Sequence, residues 1–257
     1  MKKQFVFTVD DNIRFLKELS REPYDSIFSH PYMAMYKRLH EKFGLKIQLN
    51  LFYLLDDFDL SQTSEKFRNE WNQCSGWLKL SFHSKLENRK PYEHSGYDEV
   101  YEDCQSVHRE ILRFAGDRSL AKTTTVHYCV ATDDGLRAIS DNGVCALLGL
   151  FGTADAPRTS YGLEEDYAKR IRAGETVCKN GMYYSGIDIV LNNFKTEEIL
   201  ASLAKMTERD VVRVMIHEQY FYSDYHAYQK NFEEKLFNTF ECLTRQGREC
   251  AFFEELL

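Results

Sequence analysis

Glycine and proline are scarce in this chain, 13 and 4 of 257 residues. So low a content excludes a collagen-like repeat and a Pro/Gly-rich disordered chain. Long apolar runs are also missing: none approaches the roughly 20 residues of a membrane-spanning helix, so no membrane partner is expected. The apolar stretch near the start runs only from Phe5 to Val9 and ends in Asp10 and Asp11. A secretory leader takes about 7–15 apolar residues and a small-residue cleavage site, so none is expected here. The seven cysteines (Cys74, Cys104, Cys129, Cys145, Cys178, Cys242 and Cys250) are odd in number and contain no Cys-x-x-Cys pair. That excludes a disulfide-stapled miniprotein and reads as reduced thiols in a cytoplasmic protein. An excess of positive charge is lacking too. Lysine and arginine total 33 against 40 aspartates and glutamates, a net charge of −7. Nucleic acid, whose binding needs a basic stripe to displace counterions, is therefore not an expected partner. Neither GxGxxG nor GxxxxGK[ST] occurs, so dinucleotide and P-loop chemistry have no motif behind them.

What is present is core-forming material. Hydrophobic residues make up 43% of the chain and aromatics 14%, enough for one sizeable core. Strand-like and helix-like segments alternate. Residues 4–9 are β-rich. Residues 29–43 are helical, with Tyr32, Met35, Leu39 and Phe43 on one side, Ser29 as N-cap and Gly44 at the C-cap position. Residues 46–55 alternate Ile47, Leu49, Leu51 and Tyr53 with Gln48 and Asn50, the mark of a strand. A short polar helix is expected at 62–72 and a strand at 77–83. Further helices are expected at 97–115, 134–142, 196–205 and 225–246, and further strands at 123–130, 144–151, 187–191 and 211–217. Residues 152–182 follow neither period and stand as an irregular excursion. The alternation means right-handed βαβ units and a parallel sheet. About seven strands without a nucleotide-binding turn indicate an α/β barrel, a single domain over residues 1–257.

In such a barrel the C-terminal strand ends converge on one mouth, where sites are built. The first strand ends in Asp10 and Asp11. The third ends in His83, with Glu87 four residues on. The fourth carries His127 near its end, and the last ends in His217, followed by Glu218. Each has an ordinary structural reading: paired aspartates cap helices, and a lone strand-end histidine is more often hydrogen-bonded than a ligand. What shifts the balance is coincidence, since four separate strands place an acid or an imidazole at the same end. These are the groups that bind a divalent metal or move protons near neutral pH. His30, His40, His94, His108 and His226 lie in helices or polar loops and read as structural.

The string Phe7-Thr8-Val9-Asp10-Asp11 resembles the Thr-Phe-Asp-Asp opening of NodB-type polysaccharide deacetylases, in the glycoside hydrolase/deacetylase superfamily. The stretch from Phe82 to Glu87 resembles their His-Ser/Thr-x-x-His motif, and Met215-Ile216-His217 their late Leu-x-His motif. The order matches, and the likeness extends over about residues 4–250 at the level of strand order. The resemblance implies an irregular (β/α)7 barrel. It also implies Asp10 as general base, Asp11 and His83 as ligands of a divalent ion, expected to be zinc, and His217 as the acid that protonates the leaving amine. Two departures stand out. The motif's second histidine is Glu87 here, and the family's Arg-x-Pro segment is absent, the corresponding stretch reading Thr125-Val126-His127-Tyr128-Cys129. The third ligand is thus either Glu87 or His127. The activity implied is metal-assisted hydrolysis of the C–N amide bond of an acetylated amino sugar or related small carbohydrate. Two other readings stay open: a barrel that binds a metabolite or metal without catalysis, and a metal-free glycosidase pairing Asp10 or Asp11 with a distant carboxylate such as Glu218.

Overall fold

The computed structural model describes residues 2–87 and 92–257. The β-rich start forms β1 (Gln4–Asn12) and, after the single residue Ile13, α1 (Arg14–Arg21), a helix the sequence pattern does not announce. Next come α2 (Pro31–Phe43) and β2 (Ile47–Leu55). The N-cap of α2 is His30 rather than Ser29: its Nδ1 accepts the N–H of Tyr32 while Pro31 opens the helix. Gly44 ends α2 in the left-handed conformation, as its position implies. A two-residue antiparallel strand, β3 (Phe58–Asp59), precedes two short 3-10 turns and α3 (Arg68–Cys74), so the polar helix expected at 62–72 is broken and shifted. Then follow β4 (Leu78–Leu86), α4 (Tyr97–Phe114), β5 (Thr123–Thr124), α5 (Asp133–Asp141) and β6 (Ala146–Gly149). The excursion holds α6 (Glu165–Arg172) and β7 (Val177–Lys179), which forms a hairpin with β8 (Met182–Gly186). The chain finishes with β9 (Ile189–Val190), α7 (Thr196–Ala204), β10 (Val211–His217), α8 (Phe232–Arg245) and β11 (Glu249–Cys250).

Parallel pairing runs from β9 through β10, β1 and β2 to β4, and separately from β5 through β6 to β8. Two seams join these sheets. At one, Leu80 and Leu120 form a parallel bridge and the Ala121 N–H donates to the Leu80 carbonyl. At the other, the segment from β8 into β9 leans first on β6, through Ile187 N–H to Gly149 O, then on β10, through Asp188 N–H to Arg213 O. Seven parallel strand positions thus make an irregular (β/α)7 barrel, with the β8–β9 segment counted as one bent strand. Among the described residues no helix is long and apolar enough to cross a membrane. The seven cysteines are unpaired thiols.

The main core lies between the strands and the surrounding helices, where Phe5, Phe7, Leu49, Leu51, Phe82, Ile111 and Phe240 are fully covered. A smaller cluster of Val6, Ala146, Leu148 and Phe253 packs separately. On β1, Val6 shares its face with Thr8 and Asp10 by alternation, which makes that face the lumen. The polar partners in β2 take the same side: Gln48 and Asn50 are buried, with Gln48 bonded to Thr123 and Asn50 bonded to Asp10. The alternation read from 46–55 therefore separates a helix-covered apolar face from a polar lumen, and from Ile47 to Phe52 both faces are buried.

His108, in α4 against α5, is buried within the apolar layer, and burial pushes its pKa down to about 4. A base whose folded pKa is depressed supports folding above its unfolded value near 6.5 and loses that support as pH falls toward 4. Across that window the wild type is expected to lose about 3 kcal/mol from this one group. Urea unfolding at pH 7 and pH 4.5 checks it: His108→Gln should lose markedly less stability between the two.

Candidate metal centre and active-site cavity

Two bulges and one strained turn build the site. The β1–β2 register slips between Val9 and Asn12, where Asp11 takes φ 62°. In a regular strand Asp10 and Asp11 would point to opposite faces; the left-handed Asp11 turns both toward one mouth. The β2–β4 register slips between Leu51 and Phe52, beside His83. The strand expected at 123–130 stops after Thr124, because Tyr128 and Cys129 adopt φ 61° and 57° in a 3-10 turn. That turn swings His127 inward. The three irregularities are invisible to a period-2 pattern, and each re-aims a side chain that the pattern had singled out.

Asp10, Asp11, His83, Glu87, His127 and His217 all line one cavity of about 320 Å³. Asp10 and Asp11 lie near the end of β1 and His217 ends β10, while β4 runs past the expected end at His83 to Leu86, and His127 sits in the 3-10 turn beyond β5. Asp10 faces His217 in the β1–β10 register. His83 Nε2 lies 2.9 Å from Asp11 Oδ1 and 3.1 Å from His127 Nδ1, and His127 Nδ1 lies 3.3 Å from Asp11 Oδ1. These donors form the single cluster with metal-ligand spacing among the described residues. Glu87 is not in it: the residue lines the cavity, and its backbone carbonyl accepts from His127 Nε2 at 2.7 Å.

Those backbone contacts fix both tautomers. A carbonyl only accepts, so His127 carries its proton on Nε2, toward Glu87, and His83 carries its proton on Nδ1, toward Thr125 O at 2.5 Å. In the neutral rings the inward nitrogens are then lone pairs, and both face the Asp11 carboxylate. Three mutually facing acceptors repel unless a cation lies among them. Their separations suit one, since donors about 2.0–2.1 Å from a tetrahedral ion sit about 3.3 Å apart. The donor set fits a divalent metal, and the carbonyl partners are the outer support that such imidazole ligands use.

Electrostatics follow from burial and crowding. Burial works to raise the Asp11 carboxyl, but with the facing imidazoles in their charged, donating form, His217 first and then His127 and His83, the group is held well below the usual carboxylate range. Its Oδ2 also accepts from Gln219 Nε2 at 2.6 Å. Asp10, enclosed beside Asp11, is pushed well above that range by burial and by the neighbouring charge, with the Asn50 amide only partly offsetting them. Burial lowers the His83 and His217 imidazoles, against the pull of Asp11. His217 Nδ1 is bonded to Asn192 Oδ1 at 2.8 Å, and its Nε2 faces Asp11 Oδ2 at 4.0 Å. Asn192 is in turn held by Gln229, whose amide donates to the Asn192 carbonyl and accepts from Lys235.

Glu218 is placed elsewhere. Its buried carboxylate accepts the N–H groups of Ile13, Arg14 and Phe15 at the start of α1, so it is a helix cap and not a partner for Asp10 across a substrate. The helix expected at 225–246 begins only at Phe232, and residues 218–231 instead wrap the mouth with Tyr220 and Tyr225. Asn50, Asn192, Gln219 and Arg158 also belong to the site, and no motif in the sequence marks them. Asn50 was visible only as the polar phase of a strand, and Gln219 only as the second residue after His217.

No protein-family model matches the sequence, and no curated protein is similar to it in sequence. Solved structures are similar in fold. A family 4 acetyl xylan esterase from Clostridium thermocellum, solved with a cobalt ion, superposes with a TM-score of 0.51 at 13% identity, over 99% of this chain and 90% of that one. A peptidoglycan N-acetylglucosamine deacetylase gives 0.51 at 11% identity, over 100% and 88%. A 4-alpha-glucanotransferase from Thermococcus litoralis gives 0.56 at 12% identity, over 99% of this chain but 40% of that one. One fold therefore serves more than one chemistry, and the chemistry here must be argued from the side chains. The chain has the irregular (β/α)7 fold of the NodB-type polysaccharide deacetylases.

Proposed function

We propose that this chain is a divalent-metal-dependent hydrolase that cleaves the C–N amide bond of an acetylated amino sugar or a closely related carbohydrate. The observation that carries the reading is the cluster of Asp11 Oδ1, His83 Nε2 and His127 Nδ1, 2.9–3.3 Å from one another, with the outward nitrogen of each imidazole on a backbone carbonyl. Two nitrogens and one oxygen favour zinc over the all-oxygen cations. Asp11, His83 and His127 would hold the ion, which would supply Lewis acidity toward the scissile carbonyl. The rest is done by the chain. Asp10, its carboxyl raised and enclosed, accepts a proton from the water that adds to the acyl carbon. His217, anchored through Nδ1 to Asn192, presents Nε2 to the cavity and hands a proton to the amine nitrogen as the C–N bond breaks. Over one turnover the proton gained at Asp10 balances the proton given by His217. Water's oxygen ends on the acid and the nitrogen leaves as a free amine. The names of the esterase and deacetylase with the same fold support the same acyl-transfer class.

Activity should be absent after chelation and return on adding zinc. Asp10→Asn should lower kcat by roughly 10²–10⁴-fold while metal content is kept. Acetate release from N-acetylglucosamine and chitooligosaccharides, alongside metal analysis of the same samples, tests both. Activity that survives thorough chelation would end this reading.

A further inference from the structure

A tight hairpin follows β6 and delivers one more side chain to the cavity. Gly152, at φ 70°, bridges Pro157, and a Cβ there would meet the Ala156 carbonyl at 2.1 Å, so the turn requires glycine. The Arg158 N–H returns to Phe151 O at 3.0 Å. Arg172 of α6 donates to the carbonyls of Phe151 and Arg158, and Arg209 holds the carbonyl of Arg172. The hairpin so pinned sets Arg158 in the cavity wall, where Nη2 donates to Tyr128 O at 3.3 Å.

Most of the described arginines are spent on carboxylates: Arg14 on Asp224, Arg113 on Glu110, Arg172 on Glu165, Arg209 on Asp188. Arg158 has no carboxylate partner among the described residues, although Asp10, Asp11 and Glu87 line the same cavity, and it is the one lysine or arginine in that lining. A guanidinium beside a reaction cavity, with one nitrogen on a carbonyl and the rest of its planar fork uncommitted, is suited to a carboxylate or phosphate. We propose that Arg158 binds an anionic substituent, a carboxylate or a phosphate monoester, on the sugar whose amide is cleaved. The substrate class is then an acidic N-acylated sugar. This inference rests on the hydrolase reading above and adds what the substrate carries.

The test pairs turnover with binding. Acetate release is compared for N-acetylglucosamine, its 6-phosphate and N-acetylmuramic acid, and calorimetry compares glucosamine with glucosamine 6-phosphate and muramic acid. Wild type should favour at least one anionic sugar by about tenfold or more in both measurements. Preference for the phosphate or for the carboxylate tells the two anion sources apart. In Arg158→Ala the ratio of anionic to neutral sugar should fall to near one. Arg158→Lys should keep part of it, more for phosphate than for the planar carboxylate. Equal handling of charged and neutral sugars by wild type, or equal weakening of both in Arg158→Ala, overturns the assignment. If wild type hydrolyses none of these sugars, the hydrolase reading falls. The calorimetric ratio then decides Arg158 alone: an anion preference that Arg158→Ala removes supports it, and no preference overturns it.

Discussion

His127→Ala is expected to lose tight metal binding, weakening affinity by at least roughly 100-fold, the upper range seen when even a supporting partner of a ligand is removed. Amide hydrolysis should fall with it, by about 10³-fold or more at limiting metal. Glu87→Gln should change affinity by less than about tenfold. The contrast follows from the geometry. His127 Nδ1 stands 3.1 Å from His83 Nε2 and 3.3 Å from Asp11 Oδ1, whereas Glu87 meets this group through its backbone carbonyl, which glutamine keeps. Competition against a chelating indicator measures both variants without depending on turnover. The reverse order, with the Glu87 variant metal-free and the His127 variant loaded, would assign the third ligand to Glu87 and remove the tautomer argument.

This contrast also marks how far the site was legible in the chain. The opening Asp10-Asp11 pair, His83 and His217 were readable because each ends an apolar run, and strand ends gather at one mouth whatever the details between them. The choice between Glu87 and His127 was not readable. It turns on the left-handed Tyr128 and Cys129, and neither residue type signals positive φ. A strand drawn through 123–130 would have kept His127 in a sheet layer; the real chain leaves the sheet after Thr124 and turns the ring inward.

The fold shows the same division. Helices with a clear 3.6 period, such as α4 and α5, were found nearly to their ends. Helix α1 was hidden because it starts two residues after β1 and is capped from far away, by Glu218 rather than by its own N-cap residue. Tertiary capping leaves no local signature. Tyr225 and Tyr228 fall inside the helix expected at 225–246, yet they lie in the stretch before Phe232, where Tyr225 joins Tyr220 in lining the mouth. The excursion hid a helix and a hairpin for the opposite reason, since its short elements carry too few apolar positions to establish a period.

Glu218→Gln should destabilise the fold markedly without touching the metal cluster. Glu218 is fully buried and gives Oε2 to the N–H groups of Ile13 and Arg14 and Oε1 to that of Phe15, at 2.7–2.9 Å. A glutamine has one acceptor oxygen, so its amino group must face at least one of these donors. An unsatisfied buried N–H costs about 1–3 kcal/mol, and the opposed amino group adds a second unmet donor, for about 2–4 kcal/mol in all. In a chain of this size that lowers Tm by roughly 5–12 °C. Burial pushes the Glu218 carboxyl up to about 7, even with three N–H groups favouring its charged form. A raised folded pKa contributes stability that is complete below the unfolded value near 4.5 and is lost as pH rises through 7. The gap between wild type and variant should therefore narrow from pH 5 to pH 8, which thermal unfolding in chelator can follow free of metal effects. Because the same three N–H groups begin one residue after Asn12, slackening them also loosens the left-handed Asp11. Metal affinity should drop in the variant although no ligand has been touched. A Glu218→Gln protein with wild-type Tm and metal affinity would mean that the turn at Asp11 holds itself, and that the cap beneath it is incidental.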